Sequence, residues 1–104
     1  MASSRTPFTQ RVIDLIAAIP KGSVSTYGAI AAAAGSPKGA RQVARILHSC
    51  SETDGLPWQR VVGREGRILL PGQRGSIQRQ LLEMEGVGFT KAGNVDLVEH
   101  FFAF

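Results

Sequence analysis

Two short helical patterns that meet at a Gly-Ser-Pro break dominate the first half of the sequence. The first covers residues 27–34, follows a Ser-Thr pair that supplies its cap, and ends at Gly35. The second is expected to begin at Ser36 and Pro37 and to reach about Ser49. Two short helices joined by a glycine turn are typical of a helix-turn-helix, so a mainly α domain is expected.

The second of these helices is predicted to have one apolar and one basic side. Its apolar residues recur at helical spacing and are expected to face the core: Ala40, Val43, Ala44 and Leu47. The opposite side carries polar and cationic residues: Lys38, Arg41, Gln42, Arg45 and His48. A row of cations on the second helix of a helix-turn-helix favours binding to a polyanion.

Further helices are predicted on both sides of this pair. A core helix begins at Thr6 and stops before Pro20, because proline disfavours helix in the residue that precedes it. A fourth helix is capped by Ser76 and ends at Gly86, and a short last helix is capped by Asp96. The last segment is expected to close the core with Leu97, Phe101 and Phe102.

Between the third and fourth helices the sequence predicts a small β-hairpin. Val61 and Val62 precede a tight turn over residues 64–66, and residues 67–70 have the character of a second short strand. A hairpin beside a helix-turn-helix forms a wing. The expected fold is therefore a mainly α, winged helix-turn-helix in a single domain over residues 1–104.

Charge is distributed unevenly along the chain. Eleven of the twelve Lys and Arg residues lie in the first 80 positions, together with four of the eight acidic residues. Nine of the twelve cations are Arg, whose planar guanidinium suits phosphates and base edges. This excess of Arg favours a nucleic acid as the partner.

Cysteine use and hydropathy indicate the compartment. Cys50 is the only cysteine, so an internal disulfide is impossible, and no C-x-x-C or H-x-x-x-H spacing predicts a zinc site. The longest apolar run, residues 29–34, is far shorter than the ~20 residues that span a bilayer, and the amino terminus carries no apolar segment. We expect a cytoplasmic protein with no metal, no cofactor and no membrane association.

The search for catalytic groups is mostly negative. The four acidic residues of the first 80 positions share no motif that would pair a general acid with a general base, and both His residues are isolated. No Ser lies in a G-x-S-x-G turn. Cys50 ends the apolar side of the third helix, so we interpret it as a core thiol rather than a nucleophile.

Three stretches of the sequence together identify a family. They read Val24-Ser25-Thr26-Tyr27-Gly28, Gly39-Ala40-Arg41-Gln42-Val43 and Leu56-Pro57-Trp58-Gln59-Arg60-Val61-Val62. Their order and spacing resemble the DNA-binding domain of the alkylguanine-DNA alkyltransferases, and the resemblance extends from Phe8 to Val87. In that family a Pro-Cys-His-Arg-Val signature carries the Cys that takes the alkyl group from O6-alkylguanine.

Trp58 occupies the position of that Cys, which marks the alkyltransferase-like proteins of the family. Transfer of an alkyl group needs a thiolate, whereas an indole offers only an N–H donor and a π face. Gln59 stands where the active enzymes have the His that activates the thiol, and an amide cannot serve as that base. The resemblance therefore implies that the protein is not an enzyme.

The resemblance also assigns roles on DNA to the helix-turn-helix. It implies that Tyr27 pushes on the phosphate beside a damaged nucleotide and that Arg41 enters the base stack when the base is flipped out. The second helix of the pair would lie in the minor groove, where a slim alanine-rich helix fits. Lys38, Gln42 and Arg45 are then expected to contact the DNA beside it.

The lesion itself is expected to enter a pocket at Trp58. The residues that we assign to this pocket are Trp58, Gln59, Arg60, Arg67 and Arg74. The alternative expectation is that Trp58 is an ordinary core residue and forms no part of a pocket. By resemblance, the protein binds duplex DNA that contains O6-alkylguanine as a monomer and marks the lesion for nucleotide excision repair proteins.

Two other functions stay open at this point. A winged-helix transcription regulator would read a base sequence in the major groove, usually as a dimer on paired half-sites. An active alkyltransferase that uses Cys50 is the third possibility, although its nucleophile would lie outside the signature position.

Overall fold

The computed structural model describes residues 5–104, and the expectation about the amino terminus falls partly on residues 1–4, outside the described residues. The described part forms these helices and strands: α1 (Pro7–Ala17), β1 (Ser25–Thr26), α2 (Tyr27–Ala33), α3 (Ala40–Cys50), β2 (Val61–Val62), α4 (Gly72–Met84) and α5 (Leu97–His100). The expected mainly α fold with a helix-turn-helix at α2 and α3 is confirmed. Within this part of the chain, no helix is long and apolar enough to cross a bilayer.

Side-chain caps begin three of the helices where the sequence predicts them. Thr6 accepts a hydrogen bond from Thr9 N at 3.2 Å at the start of α1. Thr26 caps α2 through Ala29 N, and Asp96 caps α5. Each cap satisfies one of the backbone N–H groups that a helix start leaves without an internal partner.

The predicted start of α3 is wrong by three residues. Residues 36–39 form a turn in which Gly39 N donates to Ser36 O at 2.8 Å, and the helix begins at Ala40. Ser, Pro and Gly at the first, second and fourth positions suit a type I turn as well as they suit a helix cap. Lys38 therefore lies on an exposed turn before the helix.

The predicted β-hairpin is also wrong. β2 pairs in parallel with β1, in the register Ser25 with Val61, while residues 67–70 contain no strand. The turn predicted at residues 64–66 is present, and Gly63 N donates to Arg67 O across it at 2.7 Å. Gly66 O accepts from Val95 N at 2.8 Å, and a Cβ on Gly66 would collide with the Val95 carbonyl. The turn thus packs against a distant segment instead of leading into a second strand.

α4 begins at Gly72, four residues before the predicted cap at Ser76. Gly75 lies in its first turn with the backbone against the Leu70 carbonyl, where a Cβ would not fit. Residues 67–70, expected to be strand, instead lead through Pro71 directly into this helix. The helix ends at Met84, close to the predicted stop at Gly86.

Two clusters of buried side chains hold the elements together. The first lies among α1, α2 and α3 and reaches Leu56 and Val61, and the second joins β1, β2, α4 and the C-terminal segment through Val24, Val62, Leu82, Val87 and Val95. Cys50 is half-buried against the first cluster. Phe101 is 43% exposed, contrary to the expectation that it closes the core.

Candidate functional site

A cavity of about 500 Å³ opens between the helix-turn-helix and the loop that precedes β2. It is lined by Tyr27, Ala44, Leu47, His48, Ser51, Glu52, Gly55, Leu56, Trp58, Leu70 and Arg74. The structure thus brings together Tyr27, Trp58 and Arg74, which the sequence places far apart. The volume lies within the range of about 300–1,000 Å³ that is usual for small-ligand sites.

Tyr27 is the first residue of α2 and is half-buried at the wall of this cavity. It directly follows β1, so the pairing of β1 with β2 and the Thr26 cap both determine where α2 begins. Burial raises the pKa of the Tyr27 phenol, so its hydroxyl stays protonated at neutral pH and can donate a hydrogen bond.

Trp58 begins a short 3₁₀ turn, Trp58–Arg60, which we call the Trp58 turn. Its backbone N–H donates to Leu56 O at 2.8 Å, and its half-buried side chain packs against the first core cluster while it lines the cavity. The two expectations for Trp58, pocket wall and core contact, are therefore compatible in this structure.

Gln59 and Arg60 do not line the cavity, contrary to their assignment to the lesion pocket. Arg60 binds both oxygens of the Glu85 carboxylate, at 2.9 Å from Nε and 3.0 Å from Nη2, and its Nη1 donates to Ile19 O. Gln59 Nε2 donates to Glu85 Oε2 at 2.8 Å. The side chains of Gln59 and Arg60 thus bind Glu85 and Ile19 behind the cavity and do not face into it.

Glu85 is largely buried in this network, with 9% of its side chain exposed. The hydrogen bond from Arg60 lowers the pKa of the Glu85 carboxyl and outweighs burial, which alone would raise that pKa. The carboxylate is therefore charged at neutral pH. It joins the C-terminal end of α4 to the Trp58 turn.

The arginines of the chain after β2 lie in different places. Arg74, in the first turn of α4, is exposed and lines the cavity with Trp58. Arg67 is 61% exposed, lies 3.9 Å from Glu65 and does not line the cavity. Of these two assigned residues, Arg74 alone is placed to contact a ligand beside Trp58.

Arg41 lies at the rim of a second, mostly apolar groove of about 740 Å³. Tyr27, Ala44 and Leu70 line both this groove and the cavity, so Arg41 lies beside the opening at Trp58. Ala44 is exposed there, contrary to its predicted place in the core.

Gln42 and Arg45 line a separate surface depression near the start of α1, together with Arg11. Both side chains are exposed, as is Lys38 on the turn before α3. The predicted basic side is therefore present, but its members divide among three places: Arg41 lies at the groove, His48 lines the cavity, and Lys38, Gln42 and Arg45 lie away from the cavity.

Sequence reasoning missed two residues behind the site, Gln78 and Glu85. Gln78 is 1% exposed and donates through Nε2 to the carbonyls of Gln59 and Val61, at 3.1 and 2.9 Å. The burial of Gln78 could have been predicted from the sequence, because Gln78 precedes the buried Leu82 by one helical turn and so falls on the buried side of α4.

Among the described residues, no group of three His, Cys, Asp or Glu side chains is placed to hold a metal ion.

Comparison with known proteins gives consistent matches. Residues 7–87 match the family described as the DNA binding domain of 6-O-methylguanine DNA methyltransferase. The DNA base-flipping protein of Escherichia coli is 50% identical over 90 residues, which cover 86% of this chain and 70% of that protein. Alkyltransferase-like protein 1 of Schizosaccharomyces pombe is 40% identical over 82 residues, covering 77% and 76% of the two chains.

A solved structure of the fission yeast protein Atl1, in complex with damaged DNA that contains O6-carboxymethylguanine, has the same fold. It superimposes with a TM-score of 0.78 at 34% identity and covers 93% of this chain and 95% of that one.

Proposed function

The chain belongs to the family of the 6-O-methylguanine DNA methyltransferase DNA-binding domain, and from that membership we propose that it recognises O6-alkylguanine in duplex DNA without repairing it. The observation that carries the proposal is that Trp58 lines a cavity beside Tyr27; by its resemblance to the family signature, we assign Trp58 to the alkyl-acceptor position. The names of its relatives, a base-flipping protein and an alkyltransferase-like protein, agree with this function.

The absence of alkyl transfer follows from the chemistry of the residues beside the cavity. The indole of Trp58 has no electron pair comparable to that of a thiolate for attack on an alkyl carbon. Gln59 has its amide engaged with Glu85, so it supplies no base at this position. Cys50 is half-buried against the core and does not line the cavity.

The cavity suits a nucleotide that has rotated out of the duplex. Trp58 offers an aromatic wall for stacking, which is how proteins hold bases that have left the helix. Arg74 supplies a cation at the same wall. An alkylated guanine pairs poorly, so its extrusion costs less than that of a normal base.

The positions of Tyr27 and Arg41 support the proposal that both take part in such a rotation. Tyr27 lies at the boundary that the cavity and the groove share, and Arg41 lies at the rim of the groove. We assign to Tyr27 the push on the phosphate beside the lesion and to Arg41 the filling of the vacated stack, where its planar guanidinium can stack and donate.

The remaining exposed residues of the basic side are assigned to the DNA backbone. Lys38, Gln42 and Arg45 would contact phosphates while α3 lies in the minor groove as a monomer binds. Marking of the lesion for nucleotide excision repair would follow, with the bound protein and the flipped base as the signal.

We expect no gain of mass when the protein is incubated with O6-methylguanine DNA, because Trp58 cannot accept the methyl group. The same samples should show tighter binding to the alkylated duplex than to the matched guanine duplex, measured by titration. Intact-protein mass spectrometry measures the transfer. A stoichiometric gain of one methyl group on Cys50 would contradict the proposal, and equal affinity for both duplexes would favour a sequence-specific regulator instead.

Arg41→Ala is expected to reduce the preference for alkylated over undamaged duplex more than it reduces total DNA affinity, because the side chain acts only where a base has left the stack. Arg45→Ala is the matched control, since it removes an exposed arginine from the same helix but away from the cavity. It should weaken both duplexes alike and lower the salt slope by roughly 0.9 for each phosphate that the variant no longer neutralises.

Binding isotherms of the two variants at several salt concentrations check this prediction. Equal losses of affinity from both variants on both duplexes would reduce Arg41 to an ordinary phosphate-binding residue.

A further inference from the structure

We propose that Gln78 is a positioning residue that holds the Trp58 turn in the orientation needed to receive a flipped base, an inference that rests on the proposed function. Gln78 does not line the cavity. It lies in α4 on the far side of the Trp58 turn, and α4 packs directly against that turn. Its effect on a ligand would therefore pass through Trp58.

The geometry of the Gln78 amide supports this role. Its Nε2 donates to the carbonyl of Gln59 inside the Trp58 turn and to the carbonyl of Val61 immediately after it. A 3₁₀ turn that passes into a strand leaves carbonyls without regular partners, and a buried carbonyl without a donor costs free energy. One side chain thus fixes the backbone at both ends of residues 59–61.

The arrangement costs free energy, because one polar atom of the buried Gln78 side chain is unpaired. Its Oε1 is buried and has no hydrogen-bond partner among the described residues. A leucine or methionine of similar size would avoid an unpaired buried oxygen at this position. A buried polar group that is only partly satisfied calls for an explanation beyond packing, and holding the two carbonyls provides one.

The rest of the Trp58 turn is held from the same side. Arg60 and Gln59 bind Glu85, and Arg60 also binds Ile19 O. Trp58 is consequently the side chain of the turn that lines the cavity, while its two neighbours anchor the turn to α4 and to the segment after α1. A wall held in this way presents its aromatic face without losing side-chain freedom when the base arrives, which favours binding.

The test compares Gln78→Met, which keeps the size of the side chain but removes the donor, with Gln80→Met, the same change at an exposed position of α4. Affinities are measured for an O6-methylguanine duplex and for the matched guanine duplex. Trp58 is the only tryptophan of the chain, so time-resolved fluorescence anisotropy of the free protein reports the freedom of this side chain directly.

We expect Gln78→Met to lower the ratio of the two affinities about fivefold while the affinity for undamaged duplex stays within about twofold. The fast component of the anisotropy decay should grow in the same variant, and Gln80→Met should change neither quantity. An unchanged ratio, or equal losses on both duplexes, overturns the positioning role. Should Gln78→Met not fold, Gln78→Asn keeps an amide that is one methylene too short to reach both carbonyls, and the same outcomes decide.

Trp58→Ala, measured beside these variants, separates the two proposals. If it abolishes the preference for alkylated DNA while the Gln78 variants keep that preference, the positioning role fails and the lesion pocket stands. If Trp58→Ala leaves the preference intact, the lesion pocket itself fails, and the positioning role falls with it.

Discussion

Replacing Trp58 with alanine is expected to cost about 1–3 kcal/mol of binding free energy for a duplex that contains O6-methylguanine, and much less for the undamaged duplex. This is the usual range for stacking of a base on an aromatic side chain. The expectation follows from the position of Trp58 at the cavity wall, where Tyr27 is the other aromatic residue among the lining side chains. Titration of labelled duplexes at fixed salt gives both binding free energies.

Trp58→Phe is the matched control, because phenylalanine keeps an aromatic face and should retain most of the preference for the lesion. The half-buried indole also packs against the first core cluster, so the alanine variant is expected to melt at a lower temperature and is titrated well below its transition. In the wild-type protein, the fluorescence of Trp58 should change on binding alkylated duplex. Unchanged emission together with a large fall in melting temperature would show that Trp58 serves the core alone.

Glu85→Ala is expected to lower the free energy of unfolding by about 1.5–3 kcal/mol, the usual contribution of hydrogen bonds to a charged group. The substitution leaves the Arg60 guanidinium, only 17% exposed, with Ile19 O but without its counter-charge, and it also removes the acceptor of Gln59. Urea denaturation at neutral pH measures this loss. Glu83→Ala is the control, since the exposed pair of Glu83 with Arg79 should contribute less than about 1 kcal/mol.

The effect of Glu85 should depend on pH in a defined direction. Its pKa in the folded protein lies below the ordinary value of 4.5, so the unfolded chain takes up the proton first as the pH falls. The stabilisation is therefore fully present above about pH 4.5 and is lost as the pH falls through the folded-state pKa. Denaturation in acid should show the difference between wild type and Glu85→Ala shrinking, and a difference that stays constant would contradict the assigned ion pair.

Local patterns in the sequence were sufficient for several elements. Thr6, Thr26 and Asp96 cap helices because a hydroxyl or carboxylate next to a helix start acts within three residues. The short range of these local patterns also explains the error in the predicted start of α3. Residues 36–39 fit a turn and a helix start about equally well, and the choice between them depended on how α2 and α3 pack.

The family and the helix-turn-helix could be predicted from the sequence, because both depend on residue type, order and short-range periodicity. Three features became visible only in the folded chain. Arg74 meets Tyr27 and Trp58 at the cavity, and Gln59 and Arg60 bind Glu85, some 25 residues away in the sequence. β2 pairs with β1 rather than with the segment that follows it. These contacts depend on which groups, far apart in the sequence, come within hydrogen-bonding distance once the core has formed. A local sequence pattern carries no information about such distances.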